Sequence, residues 1–197
     1  MQSKIKRLAP YLQACVHIFA LLPLLWLFYA VPKGLLGGDP VKELIHYLGL
    51  GGLRLLLLSL LITPLVKKFK LGPLIKLRRP LGLWCFTWVS LHFAAWMSLD
   101  LALMWGLIGE ELVKRTYIVV GFIAWLILLA LAITSIPILM RTMGKRWRQL
   151  HRGVYWVAVL ACLHFYWSVK SGWVEPAVYA AIALVLLWPR KRNMVPW

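Results

Sequence analysis

Gln149–Lys170, QLHRGVYWVAVLACLHFYWSVK, is apolar enough to cross a membrane, yet it carries His151 at one end and His164 deep inside. A polar ring held in hydrocarbon needs a partner, because an unsatisfied polar group there costs several kcal/mol. A metal is one such partner. A second stretch shares the feature: Pro80–Leu99, PLGLWCFTWVSLHFAAWMSL, with His92. Together they predict an all-α membrane bundle built so that His92 and His164 can face each other across a metal group.

The rest of the chain fits that class. Of its 197 residues, 62% are hydrophobic, and the mean hydropathy is +0.78. A soluble domain is nearer half apolar. The expectation is one polytopic membrane domain over residues 1–197, with no room for a separate catalytic domain. The sequence has no Walker A loop and no GxGxxG, and its six acidic residues are scattered. Cys15, Cys85 and Cys162 lie within apolar segments and form neither CxxC nor CxxCH. They read as small buried apolar residues, and any haem must be b-type, without a covalent thioether link.

Six spans are predicted, at about 11–31, 47–66, 80–99, 117–136, 150–169 and 174–188. KIKR precedes the first, which is long and lacks a small-residue cleavage site, so it reads as a retained span. Gly and Pro break the chain after span 1, and GEELVKR between spans 3 and 4 reads as a short interfacial helix. The net charge is +3 at the N-terminus, +6 between spans 2 and 3, +5 between spans 4 and 5 with Arg152 at the mouth of span 5 included, and +3 at the C-terminus. The alternate connections carry 0, −1 and 0, and Arg54 supplies the remainder of the total of +17. By the positive-inside rule both termini are cytoplasmic. Basic loops against anionic headgroups account for the charge without nucleic acid. No internal repeat stands out.

Depth sorts the histidines. His92 lies 12 residues beyond Pro80, and His164 lies 14 beyond Leu150. At 1.5 Å per residue these are roughly 18 and 21 Å from the cytoplasmic ends. Two parallel spans with rings at one level can supply both axial ligands to one haem, between spans 3 and 5. Such ligation saturates the iron and favours electron transfer over oxygen binding. The competing reading is a pair of core rings satisfied by hydroxyls or carbonyls. Intramembrane ionisable groups are functional candidates by default.

The other candidates are weaker. His151 is 13 residues before His164, roughly 20 Å along a helix, which suits a second stacked haem but leaves the two rings about 140° apart. The equivalent position before His92 holds Arg78 or Arg79. His17, near mid-membrane in span 1, and His46 read more readily as structural. Arg54 either snorkels outward or pairs with a haem propionate. Trp84, Trp88, His92 and Trp96 recur every fourth residue, either for packing or as an aromatic wall beside a porphyrin. Arg78–Arg79 with Lys145–Arg148 form a basic cytoplasmic face, for lipid contact or for an anionic donor such as a flavin phosphate.

RRPLGLWCFTWVSLH, GGDPVKELIHYLG, LLITPL and QLHRGVYWVAVLACLHFYWSVK resemble the MsrQ (YedZ) family, over nearly the whole chain and in order. That family belongs to the ferric-reductase-like transmembrane group. The resemblance implies a bacterial inner-membrane haem b protein. It would pass electrons from the quinone pool, or from a cytoplasmic flavin reductase with FMN, to MsrP, a periplasmic molybdopterin enzyme that reduces methionine sulfoxide in oxidised proteins. Catalysis would then belong to the partner. His92 and His164 match the outer haem ligands and His151 the further family histidine. The inner-haem histidine of the wider group is missing at Arg78–Arg79, which leaves the count at one haem or two. A small transporter or a bare membrane anchor is the alternative. The first would want broken helices or inverted repeats, and the second leaves the matched histidines unexplained.

Overall fold

The computed structural model describes residues 2–169 and 172–190. Lys191 and Arg192 of the basic C-terminal stretch, and Lys170, lie outside them. The described residues are helical, without strands: α1 (Gln2–Ala30), α2 (Pro40–Phe69), α3 (Arg78–Ala95), α4 (Trp105–Lys114), α5 (Thr116–Ile133), α6 (Pro137–Met143), α7 (Lys145–Leu150), α8 (Gly153–Ser168) and α9 (Val174–Leu187). A 3-10 turn at Gly72–Leu77 leads into α3, and a π turn at Trp96–Asp100 follows it. Contacts divide the chain into two compact units, Met1–Met104 and Trp105–Trp197.

In the first unit α3 packs along α2, and α1 lies against α3 and the 3-10 turn before it. Asp39 starts α2 by accepting from the Lys42 backbone N–H at 3.2 Å, with Pro40 at the first helical position, where a missing N–H costs nothing. Lys70 ends it in the left-handed region, its N–H returning to the Val66 carbonyl. The seam with α3 is made by glycines. A Cβ on Gly51 would lie 2.0 Å from the Trp88 ring, and one on Gly52 would lie 2.5 Å from Val89 Cγ2. No side chain fits there, so the helices meet at backbone distance. Trp88, buried in that seam, donates its indole N–H to the Ala20 carbonyl at 3.0 Å and ties α1 to α3. Leu27, Ala30, Leu36, Leu48 and Ala95 complete the core around it.

In the second unit α5 packs on α8, and α8 on α9. Ala124, Leu128 and Leu131 of α5 are buried, as are Val157, Ala158, Cys162 and Phe165 of α8. Arg190 closes α9, donating to the Leu186 carbonyl at 2.8 Å with its guanidinium 5.7 Å from the Tyr155 ring centroid. Large apolar side chains remain exposed, among them Phe19 and Phe28 of α1 and Leu184 and Val185 of α9. Lipid-facing positions have no reason to hide them.

Among the described residues three helices are long and apolar enough to span: Arg7–Ala30 within α1, Pro40–Phe69 and Thr116–Ile133. A fourth appears if Gly72–Asp100 is taken with Trp105–Lys114. The chain is a membrane protein on these helices. The short helix expected over GEELVKR is found as α4, and α5 ends before Pro137. The basic connection after it is two short helices, α6 and α7, rather than an open loop. Cys85 and Cys162 are buried, as read from sequence, whereas Cys15 is exposed.

Candidate functional site

Each unit contains one histidine held in the same way. In the first, Nδ1 of His92 on α3 lies 2.8 Å from the Ile45 carbonyl oxygen on α2. In the second, Nδ1 of His164 on α8 lies 2.7 Å from the Tyr117 carbonyl oxygen on α5. A carbonyl only accepts, so Nδ1 carries the proton in both rings, and in the neutral imidazole the lone pair sits on Nε2. Both rings are half-buried.

A glycine makes each contact possible. Side chains on a helix lean toward its N-terminus, so residue i+4 overhangs carbonyl i. Four residues after Ile45 stands Gly49, and four after Tyr117 stands Gly121. A Cβ at Gly49 would lie 2.9 Å from His92 Nδ1, and one at Gly121 would lie 2.7 Å from His164 Nδ1. In each case the absent side chain is what admits the ring.

The two cradles correspond residue by residue. Ile45 and Tyr117, Gly49 and Gly121, and His92 and His164 are each 72 residues apart. Leu91-His92-Phe93 and Leu163-His164-Phe165 repeat at the same offset, as do Trp84 and Trp156. A local repeat is therefore present where the sequence alone offered none that stood out. The signal was the equal 43-residue interval from glycine to histidine. Neither glycine emerges as a site residue from composition or motif.

The remaining histidines are held differently. His17 accepts at Nδ1 from the Trp84 indole N–H at 2.9 Å, which puts its own proton on Nε2 when neutral. His151 is on neither α7 nor α8 but in the turn between them, so the 140° expected for one continuous helix does not apply. Its Nε2 lies 3.0 Å from Thr134 Oγ1. That hydroxyl donates to the Ala130 carbonyl at 2.7 Å, so its oxygen accepts from the His151 ring. The Trp147 indole stacks on His151 with centroids 4.0 Å apart and donates to the Thr134 carbonyl. His46 is exposed.

Arg54 lines a cleft of about 160 Å³ in the first unit with Phe19, Tyr47, Gly51 and Trp88. Arg79 is exposed, while Nε of Arg78 is buried with no hydrogen-bond partner. Trp84 and Trp88 direct their N–H groups to α1, which favours packing for the fourth-residue aromatic series, and Trp96 stacks on Phe93. In the second unit a cleft of about 420 Å³ is lined by Lys114, Arg115, Thr116, Tyr117 and Trp167, next to the His164 cradle. Among the described residues no group of three or more His, Cys, Asp or Glu gathers to enclose a bare metal ion. Each unit instead holds a single cradled imidazole, and the two have matched tautomers.

Residues 48–162 match the family model for the ferric reductase like transmembrane component, which defines the class of the protein. Within that class, the chain is 47% identical over 188 residues (95% of this chain, 94% of the relative) to the protein-methionine-sulfoxide reductase heme-binding subunit MsrQ of Salmonella arizonae. It is 45% identical over 198 residues (100% of this chain, 99% of the relative) to the protein of the same description from Salmonella newport. The chain belongs to the MsrQ family.

Proposed function

We propose that this chain is a haem b electron-transfer subunit of the bacterial inner membrane, with six spans and both termini cytoplasmic. It serves a periplasmic MsrP-like molybdopterin methionine sulfoxide reductase. The observation that carries the reading is the pair of cradles, which present the same Nε2 lone pair from His92 and from His164. Relatives described as heme-binding subunits support it.

The residues present fit a b-type haem. His92 and His164 would hold the iron through Nε2, and the Ile45 and Tyr117 carbonyls fix each ring and raise its basicity. Bound there, the haem supplies a one-electron centre, without which a bare bundle cannot carry an electron across roughly 30 Å of hydrocarbon. Arg54 offers a cation for a propionate. Electrons enter from the cytoplasmic side, from the quinone pool or a flavin reductase with FMN. Arg78 and Arg79 in the first unit, and Lys145–Arg148 in the second, are the basic groups for an anionic donor, and the unpartnered buried Nε of Arg78 supports an anion at the start of α3. His151 is the candidate ligand for a second haem, though its Nε2 must first leave Thr134. Catalysis on methionine sulfoxide belongs to the partner.

A reduced-minus-oxidised visible spectrum of the detergent-purified protein, with haem quantified per chain, tests the reading. Sharp α and β bands of low-spin haem b are expected. His92→Ala and His164→Ala lose them, and His151→Ala keeps them. A protein that stays colourless after haem is supplied would overturn the proposal in favour of a transporter or anchor.

A further inference from the structure

The same arrangement of carbonyl, glycine and imidazole occurs twice, at a constant 72-residue offset, once in each unit. Packing alone does not require that. The α2–α3 seam already closes on Gly51 and Gly52, neither of which touches His92 in its nearest contacts. At Gly49 and Gly121, by contrast, all three nearest atoms to an added Cβ belong to the histidine ring. The space these two glycines leave open is occupied by the imidazoles.

We infer that Gly49 and Gly121 are positioning residues, which keep the Ile45 and Tyr117 carbonyls open to Nδ1–H of His92 and His164. They thereby set the tautomer and the donor strength of the Nε2 that meets iron. This rests on the haem reading above. The helix's own hydrogen bond runs from residue i+4 to carbonyl i. Gly49 and Gly121 thus use one lone pair of that carbonyl with their own N–H and leave the other to the ring. An alanine keeps the helix bond and removes only the approach. With a Cβ 2.7–2.9 Å from Nδ1, the ring must back away or turn, and the Nδ1–H···O bond lengthens or breaks. An imidazole without that bond is a weaker donor to ferric iron.

The test compares the full-length protein with Gly49→Ala, Gly121→Ala and the control Gly52→Ala, each reconstituted with haem. The two cradle variants are expected to bind haem roughly 10–100-fold more weakly. Their midpoint potential is expected to shift upward and the low-spin signal to fall in part. Gly52→Ala is expected to lower thermal stability and leave the potential in place. Where a variant retains no haem, nitrogen-15 NMR of labelled histidine in the apoprotein reads the tautomer directly. The parent is expected to show two Nδ1–H rings, and each cradle variant to lose one. Unchanged potential and tautomer in both cradle variants, in a parent whose haem depends on His92 and His164, would overturn the inference alone. A parent that binds no haem would instead overturn the reading beneath it.

Discussion

Nδ1 of His164 lies 2.7 Å from the carbonyl oxygen of Tyr117, 47 residues earlier in the chain. Nδ1 of His92 stands in the same relation to Ile45, across the same interval, at 2.8 Å. The acceptor in both cases is backbone, which cannot be protonated or rotated away. A ring anchored in this manner loses a hydrogen bond if it flips, so its Nε2 is held in one direction. His17 is bonded through the same nitrogen with the opposite role, accepting from Trp84. Hydrogen-bond chemistry therefore separates His92 and His164 from His17 before any cofactor is considered.

Because the Tyr117 acceptor is its carbonyl, and its ring packs on His164 without the hydroxyl, that hydroxyl is dispensable for holding His164. The phenol oxygen accepts from Arg115 Nη1 at 3.1 Å, an exposed bond. Tyr117→Phe is expected to cost about 0.5–1.5 kcal/mol at most and to leave the visible spectrum of the haem-loaded protein unchanged. His164→Phe, of similar bulk, is expected to abolish the low-spin bands. Side-by-side spectra at matched protein concentration check both, and a spectrum altered by Tyr117→Phe would mean that the phenol acts on the site.

Trp88 is expected to be among the most sensitive positions for stability. It fills the α2–α3 seam against Gly51 and gives its N–H to Ala20. Trp88→Ala should cost about 3–5 kcal/mol, and Trp88→Phe at least about 0.5–1.5 kcal/mol for the lost hydrogen bond, since the Ala20 carbonyl keeps its helix partner. Gly51→Ala should be at least as harmful as ordinary overpacking, about 1–3 kcal/mol. In the Trp88→Ala background most of that penalty should vanish, because the clashing ring is gone. Thermal unfolding of the four proteins in one detergent measures the coupling.

Helix content, the breaks near Gly34–Asp39 and before Pro137, and the short GEELVKR helix were legible because they depend on local chemistry. So were His92 and His164, as polar rings in apolar runs. The cradles were not, because each pairs residues 47 apart and depends on a glycine, which has no side chain to notice. The repeat was hidden for a related reason. In hydrocarbon most apolar side chains of suitable volume serve equally, so the identities at the 72-residue offset, Leu-His-Phe, the glycines and one tryptophan among them, are scattered rather than continuous. The turn at His151 was not legible either, since the polar residues Gln149, His151 and Arg152 suit a helix mouth at the interface as well as a break, and no proline marks the spot.

The start of α2 should respond to acid. Asp39 caps the helix and pairs with Lys42 Nζ at 2.6 Å. Chiefly that hydrogen bond with the Lys42 side chain holds its carboxyl below its ordinary value of 3.8. A carboxylate depressed in the folded state contributes stability above its unfolded pKa and loses it as pH falls through the lower folded value. The first turn of α2 should thus fray only below about pH 4. Asp39→Asn keeps a capping oxygen without the charge, and should remove that pH dependence. Amide hydrogen exchange at Lys42 and Glu43 between pH 3 and 6 tests this, and equal acid response in both proteins would assign it elsewhere.

Thr134 is the residue on which the setting of His151 depends. Its hydroxyl donates to Ala130 and accepts from His151 Nε2, and its carbonyl accepts from Trp147, whose ring stacks on the histidine. Thr134→Val preserves shape and the backbone contact but leaves the His151 N–H without its oxygen, at a cost of about 1–3 kcal/mol. Thr134→Ser retains the hydroxyl and should lie close to the parent. The two variants also bear on a second haem. If His151 ligates through Nε2, the valine removes a competitor for that nitrogen, and haem per chain should rise or hold at a given haem concentration. If His151 only buttresses the turn before α8, haem per chain should stay at the His92–His164 value while the melting temperature falls. Titrating haem into parent, Thr134→Val and His151→Ala separates these outcomes: a second equivalent in the first two, absent from the third, assigns His151 as a ligand.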